Sequence, residues 1–204
     1  MKDALKLVLF FLLVTICMYV ITTCTSCAHA QQGFNQNSTQ IRQCTLPVAV
    51  VMDSSIPEEF RPAVRNAMKY WNDFSGKELF MSLGVMSSET ITKHPKWFMV
   101  IETLPAEKWP HPVSNSCGTI EFFFRTDTNC ITSGKISLLE RCMQHRNQTE
   151  ALESVVRHEL GHLLGLPEAP EGSQTVMCPR SWFGQLPAVA NEKDLELLNK
   201  LYSE

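Results

Sequence analysis

Residues 158–168 read His158-Glu159-Leu160-Gly161-His162-Leu163-Leu164-Gly165-Leu166-Pro167-Glu168. On an α-helix, positions four apart lie on one face, so His158 and His162 direct both imidazoles at a single point. Glu159 then stands beside them, within reach of a metal-bound water, which is the pattern of a zinc hydrolase. Gly165, three residues after His162, suits the positive φ that ends a helix abruptly and turns the chain back toward the metal. Glu168 follows three residues later and is the candidate third ligand, because a carboxylate oxygen is an accepted zinc donor. Glu171 in the same loop and His111 in a Pro-rich segment remain open as alternatives, while His94 and His145 repeat no ligand spacing and are expected at the surface.

Working outward, the helix carrying this motif is expected over 149–164. A further helix is expected over 191–202, with Asn191 as cap, Asp194 in the first turn and Leu195, Leu198 and Leu201 as its apolar stripe. The intervening loop holds Pro167, Pro170, Pro179 and Pro187, and a loop that long inside one domain is usually functional. Upstream, the valine-rich run 46–52 reads as a buried strand. Ser55 with Glu58 reads as a capping box, with Pro57 in the first turn of an amphipathic helix whose Phe60, Val64, Met68, Trp71 and Phe74 recur at helical spacing up to Gly76. The runs 79–85, 97–101, 119–125 and 136–139 are strand candidates, separated by Pro, Gly, Ser and Asn. Strands and helices are thus expected together in one domain.

The chain has 204 residues, 44% hydrophobic and 19% charged, with a formal net charge of -3. Those figures exclude a disordered protein and a strongly basic nucleic-acid binder, so no nucleic-acid partner is expected. At the N-terminus, Lys2 and Lys6 precede an apolar run from Leu7 to Ile21, and Ala28-His29-Ala30 supplies small residues for cleavage. Residues 1–30 therefore read as a secretory signal peptide, residues 31–44 as a flexible polar lead-in and residues 45–204 as the domain. A membrane association is expected only if the signal segment is retained as an anchor. Cleavage removes Cys17, Cys24 and Cys27 and leaves Cys44, Cys117, Cys130, Cys142 and Cys178 in an oxidising compartment. Two disulfides and one remaining thiol are expected, with a pairing that spacing does not decide. Cys178 is a candidate for fastening its turn to another loop.

The motif His158-Glu159-x-x-His162-x-x-Gly165-x-x-Glu168, followed by Val176-Met177-Cys178-Pro179, resembles the metzincin clan of zinc endopeptidases, and the Val-Met-x-Pro turn is most similar to the matrixin branch. The resemblance also takes in Pro62 to Phe74, similar to a matrixin first helix, and Asp194 to Tyr202, similar to the terminal helix. It departs from the clan at Glu168, where relatives carry His or Asp.

The resemblance implies an α+β, metzincin-like zincin fold: a twisted mixed sheet with two long helices in an upper subdomain, and a smaller lower subdomain ending in a C-terminal helix. It implies Zn2+ held by His158, His162 and Glu168, Glu159 as general base, and Met177 as an apolar floor beneath the metal. Pro179, Arg180, Ser181 and Trp182 would wall the specificity pocket, and 119–124 would be the edge strand that pairs with an extended polypeptide substrate, its phenylalanines expected mainly in the core. The implied function is a secreted or periplasmic, monomeric zinc endopeptidase. The alternatives are a catalytically degenerate metzincin-fold binding or inhibitory protein, and a gluzincin-type peptidase drawing its third ligand from Glu192 or Glu196. Cys44 is expected in a structural disulfide rather than in a thiolate cap on the metal.

Overall fold

The computed structural model describes residues 41–94, 98–110, 116–143, 149–170, 173–178 and 189–202. The expected signal segment 1–30, Trp97 at the start of one expected strand, and His111, His145, Glu171 and Pro179 to Trp182 lie outside the described residues. Among the described residues no helix is long and apolar enough to cross a membrane.

Strand β2 (Val48–Asp53) is central and buried on both faces, as its valine-rich run predicts for a parallel strand. It pairs in parallel with β3 (Phe80–Met86) on one side and β4 (Met99–Leu104) on the other. Strand β6 (Cys130–Leu139) continues the sheet in parallel from β4, and β5 (Gly118–Phe124) closes it as an antiparallel strand on β6. A two-residue strand β1 (Arg42–Gln43) pairs in parallel with Cys130 and Ile131. Ordered pairing thus begins inside the segment expected to be a flexible lead-in, and Gln43 is buried.

Helix α1 (Arg61–Ser75) buries Ala63, Val64, Ala67, Met68 and Trp71, one stripe at helical spacing, and stops at Gly76 in the left-handed conformation at φ 67°. Asn72 fixes the following strand: its Oδ1 accepts from Leu79 N and Phe80 N, each at 2.9 Å. The expected capping box at Ser55 does not form. Glu58–Phe60 is a separate 3-10 turn behind Pro57, and the Ser55 hydroxyl instead accepts from Thr103 N at 3.1 Å. Helix α3 (Thr149–Leu163) packs on α1, with Trp71 Nε1 donating to Arg157 O at 2.8 Å. Both long helices share one core with the sheet's inner face, including Val50, Met52, Ile101, Ile136, Leu138, Val156 and Leu160. Each large side chain buried there stabilises the domain by about 1.5–3 kcal/mol.

The outer face carries a smaller cluster of Val51, Phe98 and Val100, partly covered through Ile91 by a short helix α2 (Ser88–Lys93). That helix was not expected. Its signal is Ser87, whose hydroxyl accepts from Thr90 N at 3.2 Å as an N-cap. Helix α4 (Glu192–Tyr202) ends the fold, burying Asp194, Leu198 and Leu201.

Cys44 is joined to Cys130 and Cys117 to Cys142. Both bridges are consistent with an extracellular location. Cys178 belongs to neither; its Sγ lies 3.6 Å from Pro170 O, so it does not fasten the turn by a disulfide as expected. The phenylalanines of β5 divide. Phe122 packs on the core, whereas Phe123 is 71% exposed, contrary to the core placement expected for the run, because alternation along β5 turns it to the outer face.

A candidate metal centre at the end of helix α3

Helix α3 terminates in a Schellman turn. Gly165 N donates to His162 O at 2.9 Å and Leu166 N to Gly161 O at 3.0 Å, with Gly165 at φ 91°. The reversal is tight: a Cβ on Gly165 would collide with Ile41 O of the segment leading into β1. That segment and the end of α4 satisfy the helix's last carbonyls, which have no partner within the helix. Gln43 Nε2 donates to Leu163 O at 3.0 Å, and Tyr202 OH to Leu164 O at 2.8 Å. The chain then runs back beneath the helix and delivers Glu168 to the two histidines.

His158 Nε2, His162 Nε2 and Glu168 Oε1 form a triangle with separations of 3.1, 3.3 and 3.4 Å. The tautomers follow from the outer ring nitrogens. His158 Nδ1 lies 2.8 Å from Val176 O, and His162 Nδ1 lies 2.9 Å from Leu166 O. A carbonyl oxygen only accepts, so each Nδ1 carries the hydrogen and each neutral ring turns an Nε2 lone pair inward. Two lone pairs and a carboxylate oxygen this close repel one another unless they share a cation. A tetrahedral cation bound at about 2.0–2.1 Å spaces its ligands about 3.3 Å apart, which is the size of this triangle. Glu168 Oε2 is buried and has no hydrogen-bond partner among the described residues. The donor set and its geometry therefore fit a metal. No other group of three His, Cys, Asp or Glu side chains among the described residues is comparably convergent.

Without a metal, the cation is a proton. Burial disfavours the charged imidazole of His158, but the Glu168 carboxylate and the nearby Glu159 outweigh it and raise His158 to about 9. Burial likewise opposes ionisation of Glu168, yet its pairing with both histidines holds it down at about 2. Glu159 does not join the triangle. It is buried on the adjoining face of α3, and desolvation pushes its carboxyl above the usual range.

Met177 is buried, and a Cβ on Gly161 would collide with its Sδ, so the thioether fills the space directly under the helix turn between the two histidines. The turn holding it is tied down at several points. Val176 O receives His158 Nδ1, Val176 N donates to Val189 O at 3.1 Å, and Ala169 N donates to Met177 O at 2.8 Å. Thr175 Oγ1 donates to Asp194 Oδ2, which also accepts from Asn191 N at 2.9 Å. Asp194 thus caps α4 and anchors the turn at once. The sequence placed Asp194 in the first turn but could not show its second partner, which lies 19 residues away. Gln43, Gly118 and Gly161 were also missed as parts of the site, since none belongs to a local pattern.

No family model and no curated protein matches this sequence. Among solved structures, the chain is similar to archaemetzincin from Methanopyrus kandleri, at 13% identity over 77% of this chain and 96% of that chain, with a TM-score of 0.51. It is also aligned with myroilysin at 10% identity, over 84% of this chain and 87% of that one, with a TM-score of 0.49. The order of strands, the two long helices and the archaemetzincin likeness establish a mixed α+β fold of metzincin type.

Proposed function

We propose that this chain is an exported zinc-dependent endopeptidase of metzincin type, on the matrixin side by its Val176-Met177-Cys178-Pro179 turn. The observation that carries the reading is the convergence of His158 Nε2, His162 Nε2 and Glu168 Oε1 within 3.4 Å of one another, with Glu159 next to His158. His158, His162 and Glu168 would hold the zinc, and three protein ligands are the number that catalytic zinc sites use. Bound zinc would supply Lewis-acid activation of that water and of the scissile carbonyl.

The protein's own residues supply the rest. Val176 O and Leu166 O hold both imidazoles in the tautomer that presents Nε2. Glu159, whose proton affinity is raised by burial, takes the proton from the attacking water and passes it to the leaving amine. Strand β5 uses one edge for β6, and its other edge is proposed to pair with an extended polypeptide. Pro179, Arg180, Ser181 and Trp182 are proposed as the pocket wall, residues 1–30 as the export signal, and the working unit as a monomer.

The test is metal analysis together with cleavage of an unfolded protein. About one zinc per chain and proteolysis are expected, with Glu159→Ala losing cleavage and keeping its zinc. A purified protein without zinc overturns the reading. Zinc without any proteolysis points to a metzincin-fold binding protein instead.

A further inference from the structure

Strand β5 enters the site at Gly118. The residue before it is held by the Cys117–Cys142 disulfide, and Leu139 N donates to Cys117 O at 2.9 Å. Gly118 itself is in register with Leu138 of β6. Its φ is not among the positive values of the chain, so the backbone there would accept an ordinary residue. Space is what demands glycine. A Cβ at this position would lie 2.5 Å from Val155 Cγ1, 2.8 Å from Glu159 Oε1 and 3.1 Å from Glu159 Cγ. Neither wall can retreat freely, because Val155 and Glu159 are both buried on α3 and the disulfide fixes the strand.

We propose that Gly118 is a positioning residue for Glu159: the missing side chain opens a window through which the carboxylate lies directly against the backbone of β5. The inference rests on the proposed function. It places the general base level with the strand on which the substrate backbone would pair, while the two ligand imidazoles are held separately by Val176 O and Leu166 O. A methyl group at Gly118 requires Glu159 to move by about 0.7 Å to regain ordinary contact of about 3.5 Å. A displacement of about 1 Å in a catalytic group costs on the order of a hundredfold in rate.

The test uses the full chain with disulfides formed and zinc loaded, in a Val155→Ala background that removes the other collision. Gly118→Ala, Glu159→Ala and the pair are compared by zinc per chain, by thermal midpoint, and by kcat and KM on dye-labelled casein. Gly118→Ala is expected to lower kcat about tenfold or more while zinc content stays at the background value and KM changes less than about twofold. It is also expected to lower the thermal midpoint, and most of that drop should vanish when Glu159→Ala removes the collision partner. An equal drop with and without Glu159, or an unchanged kcat, overturns the proposal. Zinc-loaded wild-type protein that cleaves nothing overturns the proposed function alone, and the midpoint cycle still decides whether Gly118 shapes the seat of Glu159.

Discussion

Zinc must displace a proton to enter this site, so its affinity should depend on pH in a way set by Glu168. In the metal-free chain His158 is raised to about 9, chiefly because the Glu168 carboxylate overcomes the effect of burial. A metal ligand must be the neutral imidazole, so each pH unit below about 9 weakens apparent zinc affinity about tenfold. Between pH 6.5 and 8.5 the dissociation constant should fall about 100-fold, which corresponds to about 2.7 kcal/mol. Competition with a chromophoric chelator measures the slope, and calorimetry in two buffers of different ionisation enthalpy counts about one proton released at pH 7.5. Glu168→Gln removes the carboxylate that holds the proton. With only the Glu159 charge and Val176 O left to oppose burial, His158 should fall from about 9, and the slope above pH 7 should flatten even though overall affinity drops with the lost ligand. A wild-type affinity that is flat across this window, or a slope unchanged in Glu168→Gln, refutes the reasoning.

The same linkage fixes the pH dependence of stability. Because His158 is raised on folding, its contribution is complete below about 6.5 and is lost as pH climbs through about 9. Because Glu168 is depressed, its contribution is complete above its unfolded value of 4.5 and is lost as pH falls through about 2. Metal-free protein should therefore be most stable between about pH 4.5 and 6.5, and the midpoint gap between zinc-loaded and chelator-treated protein should widen from pH 6.5 to 9.

Gly165→Ala forces a side chain into the left-handed region and against Ile41 O, so it should cost more than about 1 kcal/mol and weaken zinc binding, as denaturant melts and zinc titration would read. Removing the Cys117–Cys142 bridge, which closes a loop of sequence separation 25, should cost about 3.5 kcal/mol by chain entropy, and the Cys44–Cys130 bridge, with separation 86, about 4.6 kcal/mol; denaturant unfolding of the paired alanine variants checks both. Thr175→Val leaves Asp194 with only its α4 cap, and should cost about 1–3 kcal/mol in the same melts while slackening the turn behind His158.

The parts of the site legible in the sequence were those written into one helical turn. His158, Glu159 and His162 follow from helical spacing, and Gly165 from the demand for positive φ at a helix end. Strand β6 was recognised only over its apolar half, because Thr132, Ser133, Gly134 and Lys135 disguise the first half, whose place is set by pairing with β5 and β1. The capping box at Ser55 failed because Thr103, 48 residues away, takes up the hydroxyl. Gly118, Gln43 and the bond from Thr175 to Asp194 escaped notice for the same reason: each acts through a contact distant in sequence, and a single glycine, amide or carboxylate has no periodicity to announce it.

The central claim is that two histidines and Glu168 hold one zinc. X-ray absorption at the zinc edge of the metal-loaded protein tests it most directly. The account predicts a first shell of light atoms at about 2.0–2.2 Å, with two imidazole scattering patterns, and the loss of one oxygen without loss of imidazole in Glu168→Ala. A third imidazole, as His111 would supply, a sulfur at about 2.3 Å, or a shell untouched by Glu168→Ala would contradict it.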